Sequence, residues 1–428
     1  MLACGLDFGT SNSMVALATD DGVTDLRLEP DAGPDAVMPT LLFCTPDGEW
    51  SFGTAAKRAY VEAAAEGRFI QSVKRYLPSR TFGHTWLGGR RMDLPQIVAT
   101  FLAQLRRQLV EQAGGEVDAV LMGRPAVFHD DPELDALAER RLGEAARLAG
   151  FRDVAFRREP IAAARAFEGT LDREVLCFVG DLGGGTSDFT VMRLGPDRVG
   201  RPDRAADVLG SAGVNLAGND IDAAIVKLAV LPRLGWGSHY KPLQRWIALP
   251  TWLHLTTLSW HQLSFAGTPD NLAKLEEWGR TAEDPEGLER LHALLKWNLG
   301  FELFQSVEAC KRALSGADQA PLRFSSMGVE LDVTLTRDHF ERAIAPVTEG
   351  MGACLDGLLD RLSLSRDDID VVFLTGGTSL VPAVRRLFDD RFGGRLLPGD
   401  AFASVGHGLG VEARERFGAQ RSAAASVA

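Results

Sequence analysis

A short pattern rich in glycine and hydroxyl residues occurs twice in this chain. Residues 6–11 read Leu-Asp-Phe-Gly-Thr-Ser, and residues 181–188 read Asp-Leu-Gly-Gly-Gly-Thr-Ser-Asp. Each copy follows a strand-like run, at residues 2–6 or 175–179, and precedes a further apolar stretch. Two apolar runs joined by a short glycine-containing turn are typical of a β-hairpin. The repeat therefore predicts two similar hairpins, one in each half of the chain.

The turns of these hairpins are chemically suited to phosphate. Glycine lets the backbone approach a phosphate closely, and the exposed N–H groups of a turn form a concave anion site. Asp7 and Asp181 end the two preceding strands. They add a carboxylate beside the phosphates, which is the usual setting for a hydrated Mg²⁺. Two such turns predict a duplicated domain in which one phosphate loop from each half closes on a single nucleotide.

Length and composition exclude several classes of protein. A length of 428 residues exceeds what one hydrophobic core usually serves, so we expect two domains or lobes. The net charge of −12 argues against non-specific binding to nucleic acid or to an anionic membrane. Five scattered cysteines without a C-x-x-C pair predict buried thiols in a reducing compartment. We find no run of about 18 uninterrupted apolar residues, and we expect a cytoplasmic protein.

Apolar spacing predicts an alternation of strands and helices. Residues 94–110 carry an apolar face at helical period, and residues 55–77 are rich in alanine, so both are predicted as helices. A capping Asp131 before a proline opens a further helix that ends near Gly150. The buried run 117–122 is predicted as a strand. This alternation indicates α/β lobes.

The composition changes between about residues 230 and 300. Six of the eight tryptophans lie in this segment, which is predicted to be helical and inserted into the second lobe. We interpret these tryptophans as the core of a small subdomain, with a surface for a partner or ligand as the alternative. The six are Trp236, Trp246, Trp252, Trp260, Trp278 and Trp297.

A series of motifs covers nearly the whole chain. In order they are GLDFGTSNS, SVKRY, LMGRPAVF, REPIAAARAF, GDLGGGTSDF, GVNLAGNDID, VEACKRALS, FLTGGTSLVPAVRRLF and DAFASVGHGLG. The set resembles the nucleotide-binding domain of the seventy-kilodalton heat-shock chaperones of the DnaK type, with the short YegD-like group as the closest pattern. The resemblance implies an α/β fold of two ribonuclease-H-like (actin-like ATPase) lobes around a central nucleotide cleft, as in the actin, sugar-kinase and heat-shock ATPase superfamily. It implies lobe I at residues 1–170, lobe II at 171–399 and a C-terminal helix with a short tail at 400–428.

The same resemblance implies a site for ATP or ADP and Mg²⁺. Asp7 and Asp181 would hold Mg²⁺ through its waters, and Lys74 would reach the γ-phosphate and the attacking water. Glu159 and Asp188 would orient that water or the metal shell. The implied phosphate contacts are Gly9, Thr10, Ser11, Asn12, Gly183, Gly184, Gly185, Thr186, Gly218 and Asn219. The implied adenosine contacts are Glu308, Lys311, Arg312, Ser315, Gly376, Gly377, Thr378, Leu380 and Asp400.

Two departures from the family pattern affect these expectations. The family usually places an arginine that stacks on adenine where this chain has Leu380. Leucine lacks the guanidinium stacking contribution of about 0.5–2 kcal/mol, so the affinity for adenine is in question. Only a short segment follows Val411. We therefore expect this chain to lack the peptide-binding β-domain, the helical lid and the apolar linker of the family.

The leading functional hypothesis is a chaperone-like ATPase of the heat-shock type with slow turnover, working through a co-chaperone or another protein partner and not on nucleic acid or membranes. A small-molecule kinase of the same superfamily is a second hypothesis, with Asp93 and Asp118 left open as its catalytic base. A third is an actin-, MreB- or FtsA-like scaffold, and a fourth is a nucleotide-sensing pseudo-enzyme. Scaffolds of this kind often carry an amphipathic membrane helix, and neither terminus shows an apolar face with a basic border.

Overall fold

The structure, a computed structural model, describes residues 2–29, 37–63, 66–129, 131–168, 170–199, 201, 204–242, 245–259, 263, 266–397 and 404–425. Asp400, which the resemblance assigns to the adenosine site, and Trp260 of the tryptophan cluster lie outside these residues.

The first half of the chain is built on a six-stranded sheet of order β11-β10-β1-β2-β3, with β4 paired to β2. β1 is antiparallel to β2 and parallel to β10. Two smaller sheets, of order β6-β5-β7 and β8-β9, complete this half. The strands are β1 (Leu2–Phe8), β2 (Asn12–Ala18), β3 (Val23–Asp25), β4 (Val37–Pro39), β5 (Leu41–Cys44), β6 (Trp50–Phe52), β7 (Arg68–Gln71), β8 (His84–Leu87), β9 (Arg90–Asp93), β10 (Val117–Arg124) and β11 (Asp153–Arg158).

The second half repeats this arrangement in a sheet of order β14-β13-β12-β19. β12 is antiparallel to β13 and parallel to β19, so it pairs as β1 does. Both predicted hairpins, β1-β2 and β12-β13, are confirmed, and so is the α/β fold class. The strands are β12 (Val175–Leu182), β13 (Ser187–Leu194), β14 (Val208–Val214), β15 (His239–Tyr240), β16 (Ile247–Ala248), β17 (Gln319–Ser326), β18 (Val329–Thr336) and β19 (Val371–Thr375).

Two of the helices begin at the capping residues that the sequence contains. Asp93 forms a capping box with Gln96 at the start of α2, and Asp131 caps α3. None of the described helices is long and apolar enough to cross a lipid bilayer. The helices are α1 (Gly53–Glu62), α2 (Leu94–Ala113), α3 (Pro132–Leu148), α4 (Glu159–Glu168), α5 (Gly218–Ile225), α6 (Trp252–Thr256), α7 (Pro269–Gly279), α8 (Pro285–Lys296), α9 (Gly300–Gly316), α10 (Arg337–Arg361), α11 (Pro382–Phe392) and α12 (Ser404–Ala425).

The helix predicted over residues 55–77 is wrong beyond α1. β7 follows α1 and pairs with β5, and a 3₁₀ turn at Val73–Tyr76 follows β7. Gly67 has a φ of 129°, and a Cβ at this position would lie 2.6 Å from the carbonyl oxygen of Cys44. Pairing with another strand therefore overrides the helix propensity of the local sequence, as tertiary context often does.

Two helices lie between the main sheets. α4 packs on β10 and β11 of the first sheet and on β12 and β13 of the second, and α12 packs on α4 and β1. Ala162, Ala164 and Leu409 are buried in one apolar cluster with strand residues of both sheets. The two sheets therefore share a core through these helices. The lobe boundaries at residues 170 and 399 stay a prediction.

The insert does not bury its tryptophans as predicted. Trp236, Trp246, Trp252 and Trp297 are exposed, and only Trp278 among the described tryptophans of the insert is buried. The core of the insert is made instead by leucines of α6, α7 and α8. Because leucines fill the space between these short helices, the larger indole rings remain at the surface.

Candidate functional site

The turns of the two hairpins meet. Gly9, Thr10 and Ser11 form the turn between β1 and β2, Asn12 is the first residue of β2, and residues 183–186 form the turn between β12 and β13. Ser11 lies directly against Gly184, where an added Cβ would collide with its Oγ. A side chain at position 184 would therefore require the Ser11 hydroxyl to rotate away, and glycine allows the two turns to approach closely.

Hydrogen bonds from two neighbouring loops hold the second turn. The N–H of Gly218, the first residue of α5, donates to the carbonyl of Gly183 at 3.2 Å, and the N–H of Asn219 donates to the carbonyl of Gly184 at 2.7 Å. The Thr378 hydroxyl also donates to the Gly183 carbonyl, at 2.7 Å. Three separate sequence motifs are thus brought to one place.

Gly376 and Gly377 lie beside this junction, at the start of the 3₁₀ turn Gly377–Leu380. Gly376 has a φ of 85°, and a Cβ there would collide with the carbonyl of Leu182 at the end of β12. Both the left-handed backbone and the close approach require glycine at this position.

A buried ion pair lies close to the hairpin residues Asp7 and Asp181. Lys74 Nζ donates to Glu159 Oε1 at 2.8 Å, and both side chains are less than a tenth exposed. Lys74 belongs to the 3₁₀ turn Val73–Tyr76, which begins after Ser72 in the left-handed region at φ 53°. Glu159 begins α4, where a helix N-terminus favours negative charge. The pair joins two motifs that lie far apart in the sequence.

Three aspartates surround this pair. Burial, then the neighbouring Glu159, raises the pKa of Asp7 to about 7, and Lys74 opposes this rise. Burial raises the pKa of Asp188 to about 6, although the Thr186 hydroxyl donates to it at 2.9 Å. Burial, then Glu159, Asp188 and Asp7, raises the pKa of Asp181 well above its usual range. The carboxylates outnumber the single lysine, so the site has an excess of negative charge.

The pKa of Lys74 is raised although the side chain is buried. Burial alone would lower it, but Glu159, Asp7 and Asp181 together raise it above its ordinary value. The ammonium group is therefore held charged at the centre of the carboxylates. Such perturbed titratable groups at a loop junction are typical of a functional site.

The residues present fit a hydrated divalent cation. Among the described residues, no group of three or more histidine, cysteine, aspartate or glutamate side chains is arranged to ligate one metal ion directly. Asp7 and Asp181 are nevertheless part of a carboxylate cluster whose pKa values are raised first by burial and then by the neighbouring carboxylates. Mg²⁺ usually keeps several of its waters and binds through one or two carboxylates together with substrate phosphates.

Four of the nine residues implied for adenosine lie on α9. Lys311 Nζ pairs with Asp222 Oδ1 of α5 at 2.7 Å, and Arg312 pairs with Glu308 at 2.7 Å. The Ser315 hydroxyl donates to the carbonyl of Lys311 at 3.2 Å. α5 therefore connects α9 to the phosphate loops, because its first two residues hold the second turn. Leu380 lies beyond Thr378 and is 57% exposed.

Two features of the site were not predicted from the sequence. The first is Asp222, which pairs with Lys311. The sequence indicates it only through its position four residues after Gly218, one helical turn into α5. Arg75 follows Lys74 and lines a cavity of about 420 Å³ behind the second turn. Thr186, Asp188 and Asn215 line the same cavity. Adjacency to a motif lysine was the only sequence signal for Arg75.

The two similar sheets and the two glycine turns that meet between them define the two-lobed, actin-like ATPase class of fold. The family described as Hsp70 protein matches residues 82–231 and 298–399. The chain therefore belongs to the Hsp70 family, and its resemblance to the nucleotide-binding domain of that family is confirmed. The YegD-like subgroup stays a prediction.

The chain is also similar to individual proteins that are named as chaperones. The chaperone protein DnaK of Thermotoga neapolitana is 27% identical over 397 residues, covering 91% of this chain and 55% of the relative. The chaperone protein HscA homolog of Azotobacter vinelandii is 27% identical over 414 residues, covering 91% of this chain and 54% of the relative. The chain thus spans about half the length of the curated relatives it matches.

Proposed function

We propose that this protein binds ATP or ADP with Mg²⁺ and hydrolyses ATP slowly, as a chaperone-like ATPase of the heat-shock type. The observation that carries this proposal is the buried Lys74–Glu159 pair among Asp7, Asp181 and Asp188, at the place where two glycine turns meet. Membership of the Hsp70 family supports it, as do relatives named as chaperones.

The two turns would bind the phosphates. Their backbone N–H groups and the hydroxyls of Thr10, Ser11 and Thr186 are donors, and Gly218 and Asn219 hold the second turn in place. Asp7 and Asp181 would hold Mg²⁺ through its waters. When bound, Mg²⁺ supplies positive charge to the phosphate oxygens.

Hydrolysis forms a bond between a water oxygen and the γ-phosphorus and breaks the bond to the oxygen that bridges the β- and γ-phosphates, releasing ADP and phosphate. Phosphoryl transfer of this kind needs positioning and electrostatic stabilisation more than covalent help. Lys74 would neutralise charge that develops on the transferred group. Glu159 and Asp188 would accept hydrogen bonds from the attacking water and orient it.

The adenosine part of the nucleotide would lie along α9, near Glu308, Lys311, Arg312 and Ser315, with the Gly376–Gly377–Thr378 loop and Leu380 opposite. The chaperone-like work would be carried out through a co-chaperone or another protein partner in the cytoplasm. The exposed tryptophans of the insert are a surface on which such a partner could bind.

ATP turnover by the purified protein tests this proposal. ADP and inorganic phosphate are measured with Mg²⁺ and with EDTA, and with and without small-molecule acceptors that carry hydroxyl groups. We expect equal amounts of ADP and phosphate, only with Mg²⁺, at a rate below the roughly 1–10³ s⁻¹ that is common for enzymes. Transfer of phosphate to an acceptor would instead identify a kinase. Nucleotide binding without any turnover would identify a nucleotide sensor.

A further inference from the structure

α4 has a buried glutamate at each end. Glu159 begins the helix and Glu168 ends it, and both side chains are buried. Ten residues of α-helix extend over about 15 Å. The N-terminal glutamate meets Lys74 in the candidate site, whereas the C-terminal one lies away from that site, in a second cluster of charges.

The partners of Glu168 are fixed by several hydrogen bonds. Arg204 donates to it through both terminal nitrogens, Nη1 to Oε2 at 2.8 Å and Nη2 to Oε1 at 2.8 Å. The backbone N–H of Gly195 donates to Oε1 at 3.1 Å. Glu168 is 1% exposed and Arg204 is 4% exposed. A bidentate pair of this kind fixes both distance and orientation.

The charges around this pair are balanced. Arg204 also donates through Nε to Asp207, which is buried and accepts a second hydrogen bond from Arg198. Arg198 in turn donates to Glu174 at 2.7 Å. Each buried charge thus has an opposite partner, which is the condition under which a buried ion pair is tolerated.

The cluster joins the two halves of the chain. Glu168 belongs to α4, which packs on the sheets of both halves. Gly195, Arg204 and Asp207 belong to the connection between β13 and β14 in the second half. The C-terminal end of α4 is therefore tied by side-chain hydrogen bonds to the second half, at the opposite end of the helix from Lys74.

We infer that Glu168 and Arg204 are a positioning pair for ATP hydrolysis. By fixing the C-terminal end of α4, they prevent the helix from shifting along its axis and so keep Glu159 against Lys74. This inference rests on the proposed ATPase function. It assigns no contact with the nucleotide to either residue, because they act through Glu159.

The variant Glu168→Gln tests this pair by removing one charge and one hydrogen-bond acceptor. Glutamine keeps one acceptor oxygen for the Gly195 N–H and one Arg204 nitrogen, whereas its NH2 group faces the other Arg204 nitrogen. Arg204 keeps the opposite charge of Asp207. We expect the single-turnover rate of ATP hydrolysis to fall about fivefold to tenfold, less than the ~100-fold loss that a 1 Å misplacement can cause. Calorimetry should give an ATP Kd within about twofold of the wild-type value.

The matched control is Arg391→Gln. Arg391 makes a bidentate pair with Asp356 at 2.9 and 3.2 Å between α11 and α10, away from α4. Its loss should lower the melting temperature and leave the hydrolysis rate within about twofold of wild type. A wild-type rate for Glu168→Gln, or an equal loss of rate in both variants, would overturn the inference.

A readout without nucleotide separates this inference from the proposed function. Amide hydrogen exchange is measured in the nucleotide-free wild type and in both variants, over peptides covering residues 72–77 and 159–168. We expect faster exchange in both peptides for Glu168→Gln and no change at residues 72–77 for Arg391→Gln. If the wild type does not hydrolyse ATP but exchange at residues 72–77 still responds to Glu168→Gln, the proposed ATPase function is wrong and the coupling of Glu168 to the Lys74 turn stands. An unchanged peptide 72–77 in Glu168→Gln would contradict the positioning of Glu159.

Discussion

The phosphate end and the adenosine end of the candidate site are built differently. At the phosphate end, Lys74 and Glu159 are buried and paired with each other, and backbone hydrogen bonds tie the second turn to its neighbours. At the adenosine end, Arg312 is exposed and paired within its own helix, and Leu380 is more than half exposed. The ion pair at the phosphate end is therefore withdrawn from solvent, whereas Arg312 and Leu380 at the adenosine end are exposed.

This difference predicts how each end responds to substitution. Charges away from water interact more strongly than charges in water. Because charge develops on the phosphoryl group during hydrolysis, the buried groups should mainly stabilise the transition state. Exposed ion pairs contribute little, about 0–1 kcal/mol each. We therefore expect substitutions at the phosphate end to change the rate and those at the adenosine end to change the affinity for nucleotide.

The largest expected effect is that of Asp181→Asn at the phosphate end. Asparagine keeps the shape but removes a charge that would hold Mg²⁺, so Mg²⁺-dependent hydrolysis should fall on the order of 10²–10³-fold, as when one electrostatic stabiliser is lost from an active site. Steady-state turnover over a series of Mg²⁺ concentrations measures this. Asp222→Asn at the adenosine end is the control and should change the rate at saturating ATP little. Unchanged turnover in Asp181→Asn would remove the metal assignment.

Lys74→Ala should lower the turnover rate more than it weakens ATP binding, by about 10²-fold against less than tenfold, since the ammonium group is aimed at the transferred phosphoryl group. Single-turnover kinetics and calorimetry give the two quantities. Lys311→Met is the counterpart at the adenosine end, where binding should fall and the rate at saturation should stay. If Lys74→Ala weakens binding with no loss of rate, Lys74 is only a ligand of the ground state.

The two hairpins of the phosphate end were predicted from the sequence. They depend on local patterns of strand and glycine residues, and these patterns specify the turns of Gly9 and Gly184 directly. The burial of Lys74 against Glu159 depends on contacts between distant segments. Motif order suggested that both residues belong to the site, but their 2.8 Å hydrogen bond could be seen only in the structure.

Further features could not be predicted because they depend on packing. The strand after α1 forms by pairing with β5, which local helix propensity does not reveal. The tryptophans of the insert were predicted as its core, but leucines occupy that core and Trp246 and Trp252 are exposed. Residue type alone indicates hydrophobicity and not which of several apolar residues are buried. Likewise, no pattern connects Glu168 to Arg204 in the sequence.

Leu380→Arg tests whether adenine lies over this position at the adenosine end. The side chain is exposed, so arginine can be accommodated, and a guanidinium over adenine contributes about 0.5–2 kcal/mol. We expect ATP and ADP to bind up to about tenfold more tightly, with the rate at saturation nearly unchanged. Calorimetric titration measures this, and Leu380→Lys, which adds charge without a planar group, is the control. No gain, or an equal gain with lysine, would mean that adenine does not lie over this position.

The smallest expected effect concerns stability without nucleotide. The pKa of Asp7 is raised from 3.8 to about 7, so the folded protein binds more protons than the unfolded chain between these values. Its contribution to stability is therefore fully present below about pH 4 and is lost as the pH rises through about 7. Asp7→Asn removes this loss, and we expect the variant to melt a few degrees above the wild type at about pH 8 in EDTA. At about pH 4 the two proteins should melt alike.

The pH dependence of this difference separates electrostatics from unrelated effects of the Asp7→Asn substitution. Asp181 and Asp188 also have raised pKa values, so the variant should keep a weaker fall in stability with pH and not lose it entirely. Addition of Mg²⁺ with ADP should stabilise the wild type more than Asp7→Asn, since the charge that destabilises the empty site is the one proposed to hold the cation. Thermal melts between about pH 4 and pH 8 measure both trends. Parallel curves for the two proteins would show that the charge of Asp7 does not destabilise the folded protein, and the proposed role of charge at the phosphate end would then fail.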